Sequence, residues 1–250
     1  MAIGKKRGSL FGPDFFDGGI ESPATYATYT MTSIFSRFEE EAKRLKRMFS
    51  PSSVLDIGCA KGFLVLVLRN LGIESHGVDI SEYALSQAPE HVRPYLMMVD
   101  LDSESLPYPD ARFDLVTAYS VLELLESLPN VLNEICRVTR NGGALHVETG
   151  YEKYYAGAGQ YLFRKYGYKL HDERFWIRQL ESHCFKYDRR LSDEYFHEWI
   201  GIDAAVARGG GPKLKAAALL NSHAIGRRIL LKFGKRKSKI GILCFRVHKP

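Results

Sequence analysis

Apolar and polar positions change rhythm along the chain. Short β-branched runs fall at residues 54–57, 75–79, 95–99, 113–118 and 144–149, each bounded by Gly, Pro, Asp or Asn. Between them apolar residues recur at spacings of three and four, which predicts helices over 61–71, 81–87 and 127–139. Gly72 suits the end of the first helix and Ser81 the N-cap of the second. Ala88-Pro89 ends the second, and Asn141-Gly142-Gly143 is expected to break the third. Upstream, Phe35, Phe38, Ala42, Leu45 and Phe49 form the stripe of a further helix, spanning about 23–49. Its Glu39-Glu40-Glu41 and Lys43-Arg44 runs read as an exposed charged face.

Strands alternating with helices imply βαβ units and a parallel sheet with helices on both faces. The ligand site of such a sheet lies beyond the carboxyl ends of its strands, where strand order reverses. Chemistry-bearing residues cluster at those ends. The first strand runs into Asp56-Ile57-Gly58-Cys59-Ala60-Lys61-Gly62, an acid followed by glycines that open a helix. Glycine admits a sharp turn and a close ligand, and the helix start offers free N–H groups. The second strand ends at Asp79-Ile80, placed to accept bonds from a ribose diol; the alternative role for Asp79 is capping the next helix. The third ends at Asp100-Leu101, where an acid can meet an adenine amino group or simply face solvent. Ala60 and Phe63 stand where G-x-G-x-x-G needs glycine, which disfavours a dinucleotide, and no Walker Lys-Ser/Thr pair follows.

Six ordered segments carry a resemblance. Val54-Leu-Asp-Ile-Gly-Cys-Ala-Lys-Gly62, Gly77-Val-Asp-Ile-Ser81, Asp100, Leu106-Pro-Tyr-Pro-Asp110 with Phe113-Asp-Leu-Val116, Val121-Leu-Glu123, and Arg137-Val-Thr-Arg-Asn-Gly-Gly143 together resemble the class I S-adenosylmethionine-dependent methyltransferases, over about residues 50–150. Phe15-Phe-Asp-Gly-Gly19 with Tyr26 and Tyr29 looks like an N-terminal segment of some small-molecule and sugar methyltransferases. The resemblance implies an α/β fold: a Rossmann-like, seven-stranded, mostly parallel sheet closed by two antiparallel strands, for which 184–189 and 240–247 are the candidates. It implies S-adenosylmethionine as cofactor. Its methionine end would fall on Asp56, Gly58, Cys59, Ala60 and Gly62, its ribose on Asp79 with Ile80, and its adenine on Asp100-Leu101; Tyr119 would line the methyl-transfer face. The chain departs from the family at Ala60, usually glycine, and at Leu124, often histidine after Val-Leu-Glu.

The expected organisation is an N-terminal helical extension (1–50), a cofactor-binding core (51–150), and an acceptor-side region with a basic helical insertion before the terminal strands (151–250). Polar acceptor-side candidates are Glu148, Tyr151, His171 and Asp172, with His171 the best base by residue type; no catalytic residue is assigned. Trp176 reads as core. The scattered Cys59, Cys136, Cys184 and Cys244 suggest neither a metal site nor a disulfide framework, so a cytoplasmic setting is expected. No run is long enough for a transmembrane helix.

The net charge of +6 is uneven: residues 204–250 hold 12 Lys/Arg and no acid. Within them, 213–233 reads as a basic amphipathic helix after the Gly209-Gly210-Gly211-Pro212 break. Three roles fit it: a lid on the domain, a surface for anionic membrane that places the protein peripherally there, and, less favoured, a contact for nucleic acid. The expected function is methyl transfer to a small or lipid-linked metabolite. The alternatives are a tRNA or rRNA methyltransferase using the basic segment, and a catalytically silent cofactor-binding or membrane-associated partner.

Overall fold

The computed structural model describes residues 7–17, 30–150, 165–199 and 240–249. They form one seven-stranded sheet in the order β3-β2-β1-β4-β5-β7-β6. The strands are β1 (Ser53–Ile57), β2 (Glu74–Asp79), β3 (Leu96–Met98), β4 (Phe113–Tyr119), β5 (Thr139–Gly150), β6 (Phe185–Tyr187) and β7 (Ile240–Val247). The first five pair in parallel, and β7 runs antiparallel to both β5 and β6. Strand order reverses between β1 and β4, so the switch point falls beside the glycine loop.

The helices are α1 (Pro13–Phe16), α2 (Met31–Phe49), α3 (Phe63–Asn70), α4 (Glu82–Ser86), α5 (Leu128–Val138), α6 (Glu173–Glu181) and α7 (Arg189–Trp199). Alternating strand residues divide the core. Leu55, Val116, Leu145, Val147 and Leu243 face α5 and α6, where Leu132, Ile135, Trp176 and Leu180 cover them. Val54, Leu115, Ala144 and Ile242 face the other way, onto Ala42 and Leu45 of α2, Leu64 and Leu68 of α3, and Tyr195 and Phe196 of α7. A sheet covered on both faces needs such near-continuous apolar strands.

Ser81 caps α4 as expected, its hydroxyl accepting from the Ala84 N–H at 2.9 Å. Three local expectations differ. The helix after β1 starts at Phe63 rather than 61, because Gly62 holds a left-handed φ of 69° at its N-cap. Asn141-Gly142-Gly143 does not separate helix from strand. Phe113 pairs with Thr139 and Leu115 with Ala144, so the stretch is a wide bulge inside β5, turned by Gly142 at φ 74°. And Cys136 of α5 is disulfide-bonded to Cys184, just before β6, across 48 residues of sequence. The expectation of no disulfide is corrected: Cys136 and Cys184 pack against the same core layer, which brings the two Cα atoms to 6.0 Å.

The stripe of α2 faces the core, with Ala42 and Leu45 buried and Phe35, Phe38 and Phe49 partly so, but its charged face is not wholly exposed. Glu40 and Lys43 pair at the surface at 3.2 Å. Glu41 turns inward, where it is paired with Arg44 and accepts from the hydroxyls of Tyr119 and Tyr195. The segment expected as a basic helix (213–233) lies outside the described residues, as do Tyr26, Tyr29 and Tyr151. No helix among the described residues is long and apolar enough to cross a membrane.

Candidate active site

Beyond the carboxyl ends of β1, β2, β4 and β5 lies a cavity of about 210 Å³. Its floor is the β1–α3 loop. Gly58, Ala60 and Gly62 all hold left-handed φ, at 71°, 51° and 69°. A Cβ on Gly58 would come within 2.9 Å of the Val121 side chain, so glycine there lets the loop close onto the end of β4. Ala60 adopts the same region despite its methyl group. Asp79, at the end of β2, fixes it there: one carboxylate oxygen accepts from the Ala60 N–H at 2.8 Å, and the other accepts from the Ser81 N–H at 2.8 Å. Burial pushes the Asp79 carboxyl above its usual range.

Asp56, Gly58, Cys59, Ala60, Asp79, Ile80, Asp100, Leu101 and Tyr119 all line this cavity. Gly62 does not. A Cβ there would meet Leu96 Cδ1 at 2.6 Å, so its place is under the loop, as the turn that starts α3. Asp100 starts the following turn, one carboxylate oxygen accepting from the Asp102 N–H at 3.1 Å. Asp56 is held in the floor by the Thr117 hydroxyl at 2.7 Å, and its burial lifts its pKa to about 7.

The N-terminal segment closes one side. Phe11, Phe15 and Phe16 line the cavity and pack with Tyr166 and Tyr168. Asp17 accepts from Lys61 at 2.8 Å and from the Tyr83 hydroxyl. Ser81 donates to the Phe11 carbonyl at 2.5 Å. The segment is thus bolted to the glycine loop and to α4.

Helix α2 and the end of β5 close the other side with Arg37, Phe38, Glu41 and Glu148. Arg37 reaches Glu148 at 3.4 Å. Glu123, from the 3₁₀ turn Leu122–Leu124, also lines the cavity; it accepts from the Gly150 N–H at 3.3 Å. Burial lifts both Glu123 and Glu148 to about 7.

Of the acceptor-side candidates among the described residues, only Glu148 is cavity-lining. His171 is stacked on Phe175, ring centroids 3.6 Å apart, and Asp172 caps α6 by accepting from the Phe175 N–H at 2.8 Å. Trp176 is buried in the core as expected. Arg37, Glu41 and Glu123 were not singled out from the sequence as site residues. The two α2 residues sit on a helix whose charges read as surface, and Glu123 enters only as part of a segment that carries the resemblance.

An open α/β sheet with a glycine loop at the switch point and acids after β1, β2 and β3 defines a Rossmann-like nucleoside-binding domain. Residues 55–147 match the methyltransferase domain family. A malonyl-acyl-carrier-protein O-methyltransferase of Pseudescherichia vulneris is 36% identical over 99 residues, 40% of this chain and 39% of that protein. A demethylmenaquinone methyltransferase of Listeria monocytogenes is 28% identical over 192 residues, 70% of this chain and 81% of that protein. A Haemonchus contortus phospholethanolamine N-methyltransferase 2, solved with phosphomonomethylethanolamine and S-adenosylhomocysteine, shares the fold with a TM-score of 0.52 at 18% identity. It covers 89% of this chain and 58% of that one. The chain spans between about a third and a half of the first curated relatives it matches. The stretch that matches the methyltransferase domain family runs from β1 to β5 and takes in the glycine loop and the strand-end acids.

Proposed function

We propose that the chain transfers a methyl group from S-adenosylmethionine to a small or lipid-linked metabolite. The observation that carries this reading is the convergence of the Gly58–Ala60 loop, Asp79 and Asp100 on one cavity at the topological switch point. The residues fit the cofactor. The loop closes without a Cβ at Gly58, the half-buried Asp79 keeps acceptor capacity beyond its two backbone bonds, and Asp100-Leu101 line the same cavity. When bound, the cofactor supplies a methyl group already activated on a sulfonium. The protein's task is then to align the acceptor atom and exclude water. Phe11, Phe15 and Phe16 suit the second role.

The relatives named for acyl-carrier-protein and menaquinone substrates support an apolar or carrier-linked acceptor. The basic segment within 204–250 suits contact with the anionic surface where lipid-linked acceptors reside. Calorimetry with S-adenosylhomocysteine tests the cofactor assignment. One site per chain is expected, lost in Asp79→Ala; no binding to the wild type would overturn it.

A further inference from the structure

Glu148 stands one strand over from the place where methyl transfer is expected. It pairs in register with Tyr119, the last residue of β4, and its own carbonyl accepts from the Ser120 N–H at 2.8 Å. Ser120 and Val121 continue from there onto the glycine loop, where Val121 meets Gly58. The Glu148 side chain is 6% exposed and lines the cavity. The charged and titratable groups around it come from several elements. Arg37, Glu41 and Arg44 belong to α2, Tyr119 to β4, His146 to β5 and Tyr195 to α7; Glu123, from the 3₁₀ turn after β4, lines the same cavity. Glu41 is committed to Arg44, Tyr119 and Tyr195. Arg37 approaches Glu148 at 3.4 Å, longer than a tight charge-assisted bond, and leaves it acceptor capacity. Glu123 Oε2, buried in the same cavity, has no hydrogen-bond partner.

Building on the cofactor reading above, we propose that Glu148 is the base that takes the acceptor's proton, that Arg37 positions its carboxylate, and that the acceptor group is a neutral hydroxyl rather than a carboxylate. A carboxylate acceptor is already ionised and needs no base. It would also be brought beside Glu148 and Glu123, whose carboxylates repel it once ionised. A hydroxyl gains from both features: Glu148 takes its proton, and the free oxygen of Glu123 can accept from a second hydroxyl. In the transfer, an oxygen lone pair forms the new C–O bond. The methyl–sulfur bond breaks with its electron pair left on sulfur, and the O–H proton passes to Glu148. The products are a methyl ether, S-adenosylhomocysteine and a protonated Glu148 that returns its proton to solvent.

Burial holds Glu148 near 7 while Arg37 pulls it down. The rate therefore rises with pH through about 7 and levels off above it. Arg37→Ala moves that rise to higher pH.

The test treats a cell extract with deuterated-methyl S-adenosylmethionine and wild type, Glu148→Gln, Glu148→Asp or Arg37→Ala. Products are read by mass spectrometry before and after mild alkali. A mass-shifted ether that survives alkali is expected. Glu148→Gln should lower kcat by about 100-fold or more and flatten the pH profile, while Glu148→Asp recovers part of the rate. Infrared titration of the S-adenosylhomocysteine complex gives a readout without turnover. The protonated-carboxyl band that titrates near 7 should shrink in Glu148→Gln. Calorimetry should show that the variant still binds S-adenosylhomocysteine. A methyl ester as product, no methyl ether from the wild type, a Glu148→Gln variant with the wild-type rate and pH profile, or an unchanged infrared titration would each overturn the proposal. Failure of the wild type to bind S-adenosylhomocysteine would remove the cofactor reading beneath it, and this inference with it.

Discussion

Asp79→Asn separates a cofactor ligand from a brace of the glycine loop. In the structure the carboxylate accepts two backbone N–H bonds, from Ala60 and Ser81, both at 2.8 Å. Asparagine keeps one carbonyl oxygen and turns an NH₂ group toward the second N–H. An unsatisfied buried donor costs about 1–3 kcal/mol, but the substitution also removes a buried charge, which offsets part of that. The free protein should therefore lose about 1 kcal/mol, a Tm shift of about 2–4 °C for a chain of this size. Binding should suffer more. Losing a charge-assisted bond to a ribose hydroxyl costs about 1.5–3 kcal/mol, or roughly 10- to 100-fold in Kd. Calorimetry with S-adenosylhomocysteine and a thermal melt on the same sample measure both quantities. A Kd within about twofold of wild type, beside a Tm lowered by a few degrees, would make Asp79 a brace of the glycine loop alone and refute the ribose assignment.

Three further outcomes follow from the packing. Gly62→Ala strains a left-handed residue and drives a methyl group into Leu96. A loss of about 1–2 kcal/mol is expected in chemical denaturation, with S-adenosylhomocysteine affinity little changed because Gly62 does not face the cavity; a selective loss of binding would contradict this. Asp17→Ala leaves the buried Lys61 ammonium without its partner and frees the aromatic N-terminal segment. Amide exchange over residues 11–17 should quicken and cofactor release accelerate; unchanged exchange would show that Phe11 and Phe15 dock the segment without it. Cys136→Ser opens a covalent loop of 48 residues, worth about 4 kcal/mol by loop-closure entropy. Its Tm should fall to that of the reduced wild type, and equal melts with and without reductant would contradict this.

Local signals were legible wherever short-range chemistry decides the outcome. The β-branched run into Asp56, the Ser81 cap and the strand-end acids Asp79 and Asp100 each depend on a few neighbouring residues, and all lie where expected. The bulge at Asn141–Gly143 was hidden because a helix break and a strand bulge use the same residues; only pairing with β4 distinguishes them. Glu41 sits in a run whose spacing fits an exposed face. What draws it inward is the pair of hydroxyls of Tyr119 and Tyr195, contributed by two distant elements, while Arg37 stays exposed and reaches Glu148 from the cavity's edge. His171 was attractive by residue type, yet its neighbours Phe175 and Trp176 capture its ring. The disulfide had no spacing signature, since tertiary packing alone brings Cys136 to Cys184.

The central claim is methyl transfer to a small or lipid-linked acceptor. Its most direct test is transfer of a radiolabelled methyl group from S-adenosylmethionine into cell material separated into small-molecule, lipid and RNA fractions. Label in the small-molecule or lipid fraction, abolished by Asp79→Ala, is the predicted result. Label confined to RNA, or absent from every fraction while S-adenosylhomocysteine still binds, would contradict it.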